Sequence, residues 1–160
     1  MRKKLLLLLL PLAVCAVPFS KAQTESETPF NAPDELRACL RTQPKIQIDG
    51  RINPFYLSGD FDGDGSTDFA VQVITRQDQH HGVLFCFANG RTSLWGAGVP
   101  NAVLKDGAWP FDSWMLIRKG SKHLSVFPKI KADAIALIIT DEGGGLLYWN
   151  GKSLMWQREE

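Results

Sequence analysis

Three patterns of apolar residues succeed one another along this 160-residue chain. The first is a run, Leu5–Leu10 and Leu12–Val17, broken by Pro11 and preceded by Arg2, Lys3 and Lys4. The second has helical spacing: Leu36, Cys39 and Leu40 fall on one face, and Pro44 follows as a stop. Asn31 offers a cap, Pro33 suits a first turn, and Asp34 and Glu35 suit the positive end of a helix dipole. The third, from Lys45 onward, consists of short segments rich in Val, Ile, Leu and aromatics with strand character. Strands are expected at Lys45–Ile48, Phe55–Leu57, Phe69–Ile74, Val83–Ala88, Ser93–Trp95, Trp114–Arg118, Leu124–Pro128, Ala134–Thr140, Leu146–Trp149 and Ser153–Gln157.

Turn residues separate these segments, notably Asn89-Gly90, Lys119-Gly120, Gly143-Gly144-Gly145 and Asn150-Gly151. Many short strands after one helix predict a mainly β fold with one N-terminal helix. The expected arrangement is an antiparallel sheet or small sandwich built from β-hairpins. Val83–Ala88 is continuously apolar, which predicts a strand covered on both faces.

The N-terminal run matches a secretory signal peptide, with cleavage after Ala22 in Ser20-Lys21-Ala22. It is too short and interrupted to serve comfortably as a transmembrane anchor. Lipidation at Cys15 is the rival reading. The polar stretch at 23–30 reads as a flexible leader, and 31–160 as one β-rich domain. The expected location is periplasmic or extracellular.

Cleavage would remove Arg2, Lys3, Lys4 and Lys21, leaving 14 basic residues against 17 acidic ones. Such a chain is not a nucleic-acid-binding domain on charge grounds. Cys39 and Cys86 would remain. An even count in an exported chain favours a disulfide between them, and they can meet if Leu84 and Cys86 point toward the helix.

The densest chemistry lies at Asp60-Phe61-Asp62-Gly63-Asp64-Gly65-Ser66-Thr67-Asp68. Carboxylates stand at positions 1, 3, 5 and 9, with Gly65 at position 6. Four like charges so close repel one another unless a hard cation gathers them. Calcium takes six to eight oxygens, and alternate loop positions can turn inward around it. An EF-hand would need a bidentate Glu at position 12, where this chain has Val71 in a strand-like segment.

Gly59-Asp60-Phe61-Asp62-Gly63-Asp64-Gly65 followed by Asp68-Phe69-Ala70-Val71 resembles the calcium loops of FG-GAP repeats, in their bacterial, VCBS-like form. The resemblance spans Phe55 to Ile74. It implies side-chain ligands from Asp60, Asp62, Asp64 and Asp68 and a backbone carbonyl from Ser66. The motif occurs once, so the chain alone is not expected to form a closed propeller. The cofactor expected is one Ca2+ in a structural role.

Other candidates are weaker. His80 and His81 could join Asp78 in a zinc site, but a solvated turn explains them as well. Asp141 and Glu142 precede three glycines and could serve a small secreted hydrolase or hydrolase subunit, although a hairpin tip is the simpler reading. Trp109, Phe111 and Trp114 could anchor a partner or pack in the core. Arg118-Lys119-Gly120-Ser121-Lys122-His123 is a basic turn that could meet an anionic surface. No nucleophile elbow, zinc-protease motif or phosphate loop appears. The expectation is an exported calcium-binding domain without catalytic residues, acting on a protein or glycan partner.

Overall fold

Alternation of apolar residues places nine strands, among the described residues, in two antiparallel sheets. The computed structural model describes residues 31–101, 103–104 and 108–159. The expected signal segment, the leader and Cys15 lie outside these. Helix α1 (Asp34–Arg41) precedes β1 (Ile46–Ile48), β2 (Tyr56–Gly59), β3 (Asp68–Thr75), β4 (His81–Cys86) and β5 (Thr92–Gly96). Then follow β6 (Ser113–Ile117), β7 (Ala134–Ile139), β8 (Gly143–Trp149) and β9 (Leu154–Arg158). Among the described residues, the mainly β class, the one α-helix and the absence of a closed propeller are as expected. No helix among the described residues is long and apolar enough to cross a membrane.

The first sheet runs β1-β3-β4-β5, and β2 shares the β3 edge with β1. Ile46 faces Thr75 at one end of β3, and Gly59 faces Asp68 at the other. Between β1 and β2 the chain leaves the edge, and it is tied at both ends to Gln72 through Asp49 N–H and Phe55 C=O. The second sheet is a simple meander, β6-β7-β8-β9. Strands β2–β5 form a similar meander, so two four-strand units follow each other in the chain.

The period of two sorts the side chains by face. Ala70, Val83, Phe85 and Trp95 of the first sheet meet Trp114, Ile135, Leu137 and Leu147 of the second in the main core. The opposite face of the first sheet, with Phe69, Val71, Val73 and Leu84, packs against Leu36 and Leu40 of α1. Cys86 points to this face and bonds Cys39, with Cα atoms 6.1 Å apart. Closing a loop of 47 residues stabilises the fold by roughly 4 kcal/mol in the chain-entropy picture. The doubly covered β4 is therefore found as expected.

Two local expectations are corrected. Asn31 does not cap α1; Pro33 holds that position, with φ −57° and ψ 151° and no side-chain hydrogen bond. Its ring sets φ and its carbonyl accepts the first helical bond from Arg37 N–H. Leu124–Pro128 is not a strand. Leu124–Val126 forms a 3-10 turn. The Ser121 hydroxyl accepts from Leu124 N–H and Ser125 Oγ donates to Lys122 C=O, which closes the backbone locally and outcompetes a ladder. Leu124, Phe127 and Ile130 then pack on the outer face of the second sheet, against Ala134, Ala136, Leu146 and Tyr148.

One core position conflicts with its surroundings. Gln72, on the inward face of β3 with Ala70, is 1% exposed, and both side-chain amide atoms lack a partner among the described residues. Leaving buried polar groups unpaired costs about 1–3 kcal/mol. Gln72→Met, similar in volume, should raise the unfolding free energy by about that amount in urea denaturation. A lower value would show that the amide is paired in solution.

Candidate metal centre

The acidic loop connects β2 to β3 and is organised by its own carboxylates. Asp60 Oδ1 accepts from Gly63 N–H at 2.8 Å and Oδ2 from Gly65 N–H at 3.1 Å. Both glycines have positive φ, +81° and +87°, which turn the chain back around Asp60. Asp64 Oδ1 accepts from Ser66 N–H at 2.7 Å. Phe61, between the first two acids, is fully buried in the main core and packs edge-on against Phe85 at 5.0 Å. Burying a phenylalanine stabilises by about 1.5–3 kcal/mol, so this ring anchors an otherwise polar loop.

Asp68, the first residue of β3, is fully buried. Its Oδ2 accepts from Phe61 N–H at 2.8 Å and from Asp62 N–H at 3.2 Å. Its Oδ1 accepts from Ala88 N–H at 2.8 Å, beyond the end of β4. Burial raises the Asp68 carboxyl above the ordinary aspartate value of 3.8 and outweighs the three backbone donors, which lower it; the Asp62 charge raises it further.

Asp60, Asp62 and Asp68 form a group that could hold a metal ion, with one ligand atom from each lying within 4.8 Å of the others. Asp64 stands outside this group and caps Ser66. The donors are all carboxylate oxygens, the set that suits a hard divalent cation rather than a thiolate- or imidazole-seeking metal. Three carboxylates leave coordination positions for loop carbonyls and water.

Residues distant in sequence complete the surroundings. Asp62 Oδ2 accepts from Arg91 Nη2 at 2.9 Å and from Asn89 Nδ2 at 3.2 Å. The Arg91 guanidinium also lies over the Phe87 and Trp149 rings, 5.4 and 5.7 Å from their centroids. On the other side, Asp133 Oδ2 accepts from Asp60 N–H and Asp60 C=O accepts from Asp133 N–H, both at 3.0 Å. Gly59 is needed here, because a Cβ would come within 2.8 Å of Asp133 Oδ2. Arg118 Nη1 donates to the same oxygen at 3.1 Å. Sequence reasoning missed Asn89, Arg91 and Asp133. Only Asp133 carried a signal, since it stands before β7 as Asp68 stands at the head of β3.

The other candidates are placed elsewhere. His81 Nδ1 lies 2.7 Å from Asp49 Oδ2, and Arg51 Nε donates to the same oxygen at 3.1 Å. His80, His81 and Asp78 form no metal-binding group among the described residues. Asp141 and Glu142 are exposed at the β7–β8 turn, where Asp141 has φ +65°. Phe111 and Trp114 are buried, and Trp109 packs with Trp95 and Phe111, so this aromatic segment belongs to the core.

No family model matches the chain, and neither a curated protein nor a solved structure matches it significantly.

The raised Asp68 pKa has a defined consequence in metal-free protein. The folded carboxyl holds its proton more tightly than the unfolded one. Its contribution to stability is therefore full below pH 3.8 and is lost as pH rises through the folded value. A carbon-detected NMR titration in chelator should find Asp68 titrating above 3.8, and a divalent cation should move it down. A midpoint below 3.8 in chelator would contradict this placement.

Proposed function

We propose that this chain is an exported calcium-binding β domain that acts by binding a protein or glycan partner rather than by catalysis. The observation that carries the metal reading is the convergence of Asp60, Asp62 and Asp68, one of them fully buried, in a loop between two strands. Bound calcium would supply positive charge at the point where these carboxylates repel one another. Asp68 would hold it from the β3 side, and Asp60 and Asp62 from the loop. Asp64 and Ser66 lie in the same loop, where they could add an oxygen each, as in the FG-GAP-like pattern. Arg91 supplies part of the same charge compensation from the β4–β5 hairpin.

The role assigned to calcium is structural. The loop carries no base or nucleophile at fixed spacing beside the carboxylates. Its contacts run instead to Ala88 and Asn89 of the β4–β5 hairpin and to Asp133 before β7. A cation here would fix the β2–β3 connector against both. Export is supported by the basic and apolar N-terminal pattern and by the Cys39–Cys86 bond, which suits an oxidising compartment.

Extracellular modules bind calcium with dissociation constants on the order of 0.1–1 mM. At about 10 mM calcium, linkage then adds about 1.4–2.7 kcal/mol of stability. Melting should shift upward in calcium and return in chelator, and Asp60→Asn/Asp62→Asn should abolish the shift. A wild-type melting temperature indifferent to calcium, with no heat of binding in calorimetry, would overturn the proposal.

A further inference from the structure

We propose that the outer face of the second sheet is a docking surface for an anionic lipid bilayer. The two sheets are covered unequally. The first is closed by α1 and its disulfide. Among the described residues, the second is covered only in part, by the segment between β6 and β7. Met115, Val126 and Met155 are three of the four exposed large hydrophobics among the described residues, at 49%, 72% and 40% exposure. Met115 lies on β6 opposite outward-facing Ala136, and Met155 on β9 opposite outward-facing Tyr148, so both belong to this face. Val126 stands at the top of the 3-10 turn, beside a cavity of about 290 Å³ between that turn and Tyr148.

The connector that crosses this face is basic. From Arg118 to Lys131 the chain carries Arg118, Lys119, Lys122, Lys129 and Lys131 and no acidic residue. Arg118 is paired with buried Asp133, and His123 contacts Glu159. Lys119, Lys122, Lys129 and Lys131 are exposed, and none has a carboxylate partner among the described residues. The first meander joins its corresponding strands, β2 and β3, by an acidic loop, so the charge of this connector is not imposed by the topology.

Exposed apolar side chains on one sheet face, crossed by a connector of exposed lysines, are the chemistry of an interfacial site. The apolar groups enter the boundary of the acyl region while the ammonium groups stay among anionic headgroups. A soluble polyanion would use the lysines but leave Met115, Val126 and Met155 in water. Charge complementarity selects the anionic surface, and the apolar patch selects a bilayer over a polymer.

The test is co-sedimentation of the chain from residue 23 onward with phosphatidylcholine vesicles, with and without phosphatidylglycerol. Chelator is included so that calcium bridging contributes nothing. Binding should require phosphatidylglycerol and fall as salt is raised. Lys119→Glu/Lys122→Glu/Lys129→Glu should weaken it at least tenfold, and Val126→Asp should weaken it comparably. All four positions are exposed, so melting curves should be unchanged; Lys→Gln replacements serve if the charge reversals do not fold. Equal binding to both vesicle types, or to neither, would overturn the proposal. So would full retention by Val126→Asp, or equal affinity for soluble dextran sulfate, which would assign the lysines to a polyanion.

Discussion

A buried carboxylate with three backbone donors organises one end of this molecule. Asp68 stands at the head of β3, the strand on which β1, β2 and β4 all pair. Its oxygens draw the start of the acidic loop and the turn after β4 to the same point. Phe61 enters the main core beside it, and the loop is thereby held between hydrogen bonds and an apolar anchor. The cost of this arrangement is electrostatic. A fully buried charge has Asp60 and Asp62 close by, and a proton or a cation relieves it.

The two meanders meet at this place. Backbone exchange between Asp60 and Asp133 joins the β2–β3 connector to the end of the β6–β7 connector. Asp133 also receives Arg118 and the N–H of Lys119, so one buried acid positions the start and end of the basic segment. An acidic connector and a basic connector are thus fixed side by side, each terminating in a buried aspartate.

Much of the fold was legible because its signals are local. Val83–Ala88 reads as doubly covered, and its alternation brings Cys86 to the helix side, where Cys39 lies. Asn150-Gly151 marks a hairpin whose turn forms with Asn150 Oδ1 accepting from Lys152 and Ser153 N–H. The sharing of β3 by β1 and β2 was not legible, because the detour at 49–55 leaves no trace in periodicity. Leu124–Pro128 misled because apolar content alone does not reveal two serines closing a turn. The acidic spacing announced the site, but the roles within it depend on partners far along the chain. Arg91 and Asn89 reach Asp62 across a hairpin, and nothing in the spacing of Asp64 shows that one of its oxygens accepts from Ser66 N–H.

The central claim is that Asp60, Asp62 and Asp68 converge on a calcium ion. Anomalous diffraction from crystals grown in calcium tests it most directly. A peak in contact with all three carboxylates, lost in the Asp60→Asn/Asp62→Asn variant, is the expected result. Wild-type crystals in saturating calcium with no peak at this loop, and with Arg91 still seated on Asp62, would contradict it.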